Sequence, residues 1–379
     1  MHGGSLIILQ GTPFCNIDCA YCYLPDRSDT QRMPLEIARA VFRRAFESKR
    51  VTEPITFLWH AGEPLAVPVA FYAQLFELAH AENSQHKREI NFAIQTNGTL
   101  INDRWIDLFQ THRVNVGVSI DGPAFIHDSQ RKDRSGRPTH SRTMAGIKLL
   151  QKAQLNPSVI AVLTDHSLDY PDQIFEFFEA NDLVRIGLNA EAISGTHFNS
   201  TVKSYQRVVQ FFYRFMDRVN TSNKTFDVRE IRLVYNAFRY FGGTANEPRG
   251  RNNTSEPFDL ITIDRTGDYS TFCPELRGAH APRYNNFTMG NVLHDPFDRM
   301  IDNPVFKSVH QEVERGIERC HDCCPYWFSC FGGTPSSKYF ETGGFDASET
   351  DSCRYQRQAV VDALAKFVTS QRKPTLAAT

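Results

Sequence analysis

The chain has 379 residues, 41% hydrophobic and 22% charged, the profile of a folded globular protein and not of a disordered, collagenous or coiled-coil one. Lys plus Arg number 42 against 43 Asp plus Glu, a formal charge of -1, so no global field favours nucleic acid or an anionic membrane surface. The longest apolar runs, SLIIL at 5–9 and VIAVL at 159–163, fall far short of the ~20 residues a membrane span requires, and no secretory apolar core follows a basic start.

From residue 5 to about 190, short β-rich runs alternate with helix-period segments, the pattern of a parallel sheet or barrel. Strands are predicted at 5–10, 54–59, 89–95, 114–120, 157–163 and 184–190. Amphipathic helices are predicted at 34–49, 69–83, 101–112, 140–154 and 170–180, and a further helix at about 200–218. Six units are too few for a closed eight-strand barrel, which leaves an incomplete barrel or an open sheet. Residues 219–257 read as a loop-rich connector around one helix, 228–241, with Asp227 as its N-cap, Glu230 completing a capping box and Gly242 following its end. The alternation in FDLITID from 258 and the turn at Gly267 predict a β-hairpin ahead of a cysteine-rich tail. The expected division is 1–218, 219–257 and 258–379, the last ending in a helix.

Nine cysteines without a secretory signal argue for metal or redox chemistry in a reducing, cytoplasmic compartment and against a disulfide framework. In FCNIDCAYCY, Cys15, Cys19 and Cys22 follow C-x3-C-x2-C spacing in the loop after the first strand. Thiolates select zinc, copper(I) or iron–sulfur centres. Zinc would want a fourth nearby Cys or His, and none follows in this loop; an iron–sulfur cluster with one open iron fits better.

This spacing, with an aromatic residue before the third cysteine, resembles the signature of radical S-adenosylmethionine enzymes. The resemblance implies a partial (β/α)6 TIM-like α/β barrel, a [4Fe-4S] cluster on the three thiolates, and S-adenosyl-L-methionine on the open iron as the source of a deoxyadenosyl radical. WHAGEPL at 59–65 is similar to the family's GGEP motif, with Gly62 and Glu63 expected at the cofactor's amino group and Ala61 standing where the motif has its first glycine. QTNGTL at 95–100 and VSIDGP at 118–123 resemble segments near the cofactor, which implies hydrogen bonds from Asn97, Ser119 and Asp121; Asn-Gly and Asp-Gly also serve as plain turns. In IHDSQRKDRSGR, Arg131 is implied to face the cofactor carboxylate, while Lys132, Arg134 and Arg137 read as a solvated basic loop. Tyr21 is assigned to the adenine side, with ring packing as the alternative.

The tail string CHDCCPYWFSCFGG at 320–333, with Cys353 beyond it, resembles the SPASM extension that carries auxiliary iron–sulfur clusters in peptide-modifying radical enzymes. The implied ligands of one auxiliary [4Fe-4S] cluster are Cys320, Cys324, Cys330 and Cys353, with Cys323 as the alternative to Cys320 and a zinc ribbon as the alternative to the cluster. Where complete SPASM domains have a further cysteine this chain has Thr334, and the hairpin offers only Cys273; two clusters in all are therefore expected. Glu275 in TFCPEL lies close to where sulfatase-maturing relatives have an aspartate proposed as a base, and is the candidate proton acceptor; a plain surface glutamate is the alternative.

YCYLPDR, FLWHAGEPLAVPVAFY, TFCPEL and GGTPSSKYFETGGFDASET look most like the cyclophane-forming maturases of glycine-rich-repeat peptides, the GrrM/OscB type. The resemblance implies a carbon–carbon crosslink between an aromatic ring and a side-chain β-carbon of a ribosomal precursor peptide, with an external electron donor such as a flavodoxin or ferredoxin and no nucleic-acid or membrane partner. Thioether formation and oxidation of Ser or Cys would use the same machinery. A non-catalytic iron–sulfur or zinc protein would explain the cysteines but not the strand-end motifs.

Overall fold

The computed structural model describes residues 4–241, 250 and 252–371. Its elements are β1 (Leu6–Gln10), β2 (Ile17–Cys19), α1 (Leu35–Glu47), β3 (Ile55–Trp59), α2 (Val69–Asn83), β4 (Ile90–Thr96), α3 (Asp103–Thr111), β5 (Asn115–Ser119), α4 (Ala124–Gln130), β6 (Arg131–Asp133), α5 (His140–Lys152), β7 (Ser158–Leu163), α6 (Pro171–Ala180), β8 (Arg185–Ala190) and α7 (Tyr205–Thr221). Then come β9 (Asp227–Val228), α8 (Arg229–Phe241), β10 (Leu260–Asp264), β11 (Asp268–Thr271), β12 (Gly290–Asn291), α9 (Pro304–Cys323), α10 (Trp327–Cys330), α11 (Pro335–Thr342), α12 (Asp351–Cys353) and α13 (Ala359–Gln371).

The six strands expected before residue 190 form, each within one residue of its expected ends, and run parallel in the order β1-β3-β4-β5-β7-β8. Alternation explains the layering. Ile55, Phe57 and Trp59 of β3 point to the helical side, where Phe42 meets Phe57 at 4.9 Å and Phe76 meets Trp59 at 5.3 Å, both edge to face. The opposite face of the sheet carries Gln95, Ser119, Ile160, Val162 and Asn189 into an interior cavity. The sheet stays open, with β9 at one edge and β12 at the other.

Three features differ from the sequence expectation. Asp227 does not cap a helix: with Val228 it forms β9 beside β8, and it pairs with Arg232. Glu230 turns inward and accepts the Leu188 N–H at 2.7 Å, because that buried edge amide needs an acceptor; Gly242 lies outside the described residues. The hairpin after 258 forms as expected, but β10 pairs in parallel with β1 from Leu6↔Leu260 to Gln10↔Asp264, so it continues the barrel sheet. Two short strands, β2 and β6, pair antiparallel with Cys19 opposite Arg131. At the other end of the chain, α13 packs on α7, and the Tyr205 hydroxyl donates to Asp362 at 2.7 Å.

Candidate functional site

The loop after β1 is held from several sides. The Glu63 amide donates to the Phe14 carbonyl at 2.7 Å, the Cys15 amide donates to the Arg27 carbonyl at 3.1 Å, and Arg134 donates through Nε to the Cys15 carbonyl at 2.7 Å. Arg134, read from sequence as part of a solvated loop, is thus a strut of the cysteine loop. Arg137 keeps the solvated character, being 74% exposed and paired with Asp133. Gly62 is required by geometry: its φ is +62°, and a Cβ there would lie 2.2 Å from the Thr12 carbonyl oxygen and 2.8 Å from that of Phe14. Ala61, where the motif has glycine, also has positive φ, +72°, a strain of about 1 kcal/mol for an L-residue.

A cavity of about 530 Å3 opens over this loop, lined by Cys15, Cys19, Cys22, Tyr21, Gly62, Glu63, Asn97, Ser119, Arg131 and Glu275. Ten residues singled out in the sequence therefore meet around one space, although they come from six segments of the chain. Asp121 is buried behind it. Its carboxylate takes both forks of the Arg131 guanidinium at 2.9 and 3.1 Å, the Tyr21 hydroxyl at 2.5 Å and the Val162 amide at 3.0 Å. Burial alone would push this carboxyl up, but the Arg131 guanidinium outweighs it and holds the group below the usual carboxylate range. Asp121 thus orients Arg131 and Tyr21, two of the side chains that line the cavity.

Arg131 also points Nη1 at the Cys19 sulfur, 3.8 Å away, and lies over the Tyr21 ring at 5.3 Å. Asn97 donates to the Cys15 sulfur at 3.9 Å and to Asn16 at 2.8 Å, and its side-chain oxygen accepts from Thr99; its side-chain amide nitrogen is thus committed to the cysteine loop and its oxygen to its own turn. Ser119 accepts from Gln95 at 3.0 Å. Glu63 accepts from the Leu65 amide, the Thr96 hydroxyl and the Asn97 amide at 2.7–2.8 Å, yet burial still pushes its pKa up to about 7. A nearby cation would return it to the ionised form.

Across the cavity, Glu275 accepts from Ser336 of α11 at 3.4 Å, and burial raises its pKa. Tyr23 and His60, which no sequence motif singles out, meet here at 3.5 Å, and burial lowers the His60 pKa to about 4, keeping the ring neutral. Gln95, Asn189, Glu191 and Arg229 also line the cavity. Their signal was position at strand ends, visible for Gln95 and Asn189 only once strand facing is known. Cys273 is buried among apolar neighbours with its thiol on the Thr254 carbonyl, and is not part of the lining.

The tail forms a second cavity. Cys320, at the last turn of α9, Cys324 just after it, Cys330 at the end of α10 and Cys353 of α12 line it together; Cys323 is exposed and faces the Arg319 carbonyl. Thr334 lines both cavities, so the two share a wall.

Both thiol groups fit an iron–sulfur cluster. A lone tetrahedral zinc with Zn–S bonds of about 2.3 Å would draw its sulfurs to within about 4 Å of one another. Among the described residues no set of three or more Cys, His, Asp or Glu is gathered closely enough for a single ion. The sulfurs instead line the walls of the two cavities. Burial raises the Cys15 pKa to about 12 and that of Cys19 to about 11, so these thiolates call for strong positive charge nearby. Three thiols at the first cavity leave a fourth position open, and four at the second close the set.

The model of the radical SAM superfamily matches residues 9–178, from β1 to α6. An uncharacterised protein of Synechocystis sp. is 39% identical over 95% of this chain and 91% of its own length. The serine-type anaerobic sulfatase-maturating enzyme of Bacteroides thetaiotaomicron is 34% identical over 44% of this chain, and the match spans 41% of that enzyme. Among solved structures, native anSMEcpe with bound AdoMet and Cp18Cys peptide superposes with a TM-score of 0.78, covering 97% of each chain at 18% identity, a likeness of fold. Among the described residues no helix is long and apolar enough to cross a membrane.

Proposed function

The chain belongs to the radical SAM superfamily, and on that premise we propose that it is a maturase that closes a carbon–carbon, cyclophane crosslink between an aromatic ring and a side-chain β-carbon of a ribosomal precursor peptide. When bound at Cys15, Cys19 and Cys22, a [4Fe-4S] cluster with S-adenosylmethionine supplies the carbon radical that takes a hydrogen atom from the substrate side chain. The chain's own residues do the rest. Glu63, Arg131 and Tyr21 orient the cofactor's amino, carboxylate and adenine groups. Attack of the side-chain radical on the ring leaves one proton and one electron to remove before aromaticity returns. Glu275, its affinity for protons raised by burial, takes the proton; Cys320, Cys324, Cys330 and Cys353 would hold an auxiliary cluster, which would supply an acceptor for the electron, while an external ferredoxin or flavodoxin would supply the electron that starts the reaction and take this one back.

The observation that supports this reading most is the shared wall at Thr334, which brings a candidate base and a complete thiolate set to one reaction space. A second reading, oxidation of a Ser or Cys side chain, is favoured by the 34% identity with a sulfatase-maturating enzyme over 44% of the chain. The test is anaerobic co-expression with a candidate precursor peptide and fragment mass spectrometry. The proposal expects loss of two hydrogens per ring, with both crosslinked residues refusing to fragment apart. A linear peptide carrying an aldehyde would replace it with the second reading, and an unmodified peptide with no deoxyadenosine formed would refute both.

A further inference from the structure

Lys338 lies on α11 with only 5% of its surface exposed. Its Nζ donates to the Gly316 carbonyl at 3.0 Å and to the Cys320 sulfur at 3.5 Å. No carboxylate pairs with it among the described residues, although a buried lysine is rare without one. The space is made for it: a Cβ on Gly316 would sit 2.9 Å from Nζ and 2.2 Å from the Phe345 carbonyl oxygen. Three charged side chains line the tail cavity, Lys338, Glu349 and Arg357. Glu349 is exposed and Arg357 half-buried, so the field of Lys338 is the least screened. Two neutral donors also face a sulfur, the Thr350 amide at 3.4 Å and the Gln358 amide at 3.8 Å from Cys353.

The thiols near the first strand have a different balance. The guanidinium near Cys19 is matched by Asp121 through a two-pronged pair, Arg27 is paired with Asp18 at 2.6 Å, and Glu63 lines the same cavity. The tail thiols thus face two cations, Lys338 and Arg357, against one exposed carboxylate, Glu349, whereas Arg131 and Arg27 near the other thiols are each matched by a carboxylate. Positive charge and N–H donors at the sulfurs favour the more negative, reduced state of an iron–sulfur cluster.

Resting on the proposed two-cluster reading, we propose that Lys338 is a positioning residue for electron transfer: its buried ammonium, held on the Cys320 sulfur, makes a cluster at the tail easier to reduce than the one at Cys15, Cys19 and Cys22. An electron released on rearomatisation then reduces the tail cluster by one electron, and the external acceptor reoxidises it.

The test is a redox titration of anaerobically purified holoenzyme followed by electron paramagnetic resonance, with iron content measured on each sample. Lys338→Met is expected to lower the reduction equilibrium of the tail cluster at least tenfold, which for one electron is about 59 mV. The other cluster is expected not to move, and Lys338→Arg to stay within threefold of wild type. If Lys338→Met sheds iron, Lys338→Gln, which keeps a donor but not the charge, is judged by the same criteria. A tail potential within threefold of wild type at full iron content overturns the inference, as does an equal drop in the Arg and Met variants. A wild-type protein holding a single cluster overturns the two-cluster reading and this inference together, whereas two clusters with an unmoved potential overturn the inference alone.

Discussion

Replacing Asp121 with Asn tests whether the electrostatic frame behind the first cavity is as described. The Asp121 side chain is 1% exposed and that of Arg131 8%, and the carboxylate accepts four hydrogen bonds, two of them from the guanidinium. Asn offers one acceptor oxygen and turns an N–H2 towards donors, so it leaves Arg131 charged, buried and unmatched. Removing one partner of such a pair costs about 3–5 kcal/mol. At roughly 2 °C per kcal/mol for a chain of this size, the melting temperature should fall by about 6–10 °C. The assay is anaerobic chemical and thermal denaturation of Asp121→Asn, Arg131→Met and the double variant. Because the penalty lies in the stranded charge, the double variant should lose less than the sum of the single losses, with a coupling of about 2 kcal/mol or more. The sign with pH follows from the depressed carboxyl. Its stabilisation is present above the unfolded pKa of about 3.9 and is lost as pH falls through the lower folded value, so wild type and Asp121→Asn should converge only in strong acid. A single-variant loss under about 1 kcal/mol at neutral pH, or strict additivity, would refute the reasoning.

Gly62→Ala, forced into left-handed backbone against the Thr12 carbonyl, should cost about 2–4 kcal/mol and deplete iron at the first cluster, read by denaturation and iron analysis; an unchanged iron content would count against the role of this turn. Glu63 has its pKa raised to about 7 by burial, so the cofactor-free protein should lose about 3 kcal/mol as pH rises from about 4.5 to 7, and Glu63→Gln should flatten that slope in denaturation curves. Glu275→Gln should slow crosslinking by about 100-fold or more while deoxyadenosine still forms, and wild-type turnover should fall as pH drops below the raised carboxyl pKa, as chromatography of both products would show. Cys324→Ala should likewise keep some deoxyadenosine formation and suppress crosslinking; equal survival of both would reject the tail as electron acceptor.

Legibility in the sequence followed the range of the interactions involved. Strands such as 54–59 and helices such as 69–83 were readable because period-2 and period-3.6 burial is a local property of consecutive residues. The cysteine clusters were readable because the first trio lies within 15–22 and three of the four tail cysteines lie within 320–330. The partners of those residues were not. That Asp121 would serve Arg131 and Tyr21 from behind the cavity, that Arg134 would brace the cysteine loop, and that β10 would dock in parallel on β1 depend on segments brought together from across the chain. The same holds for Lys338, which as one letter in SSKYF resembles any surface lysine until α9 and α11 pack and place its ammonium on the Cys320 sulfur. Sequence by itself determined which groups could do the chemistry, because side-chain identity sets ligand softness, charge and acidity. Tertiary structure alone decided which charges are compensated, which thiols face a common space and which wall two cavities share, because burial and distance set the strength of every electrostatic interaction and neither is a property of neighbouring letters.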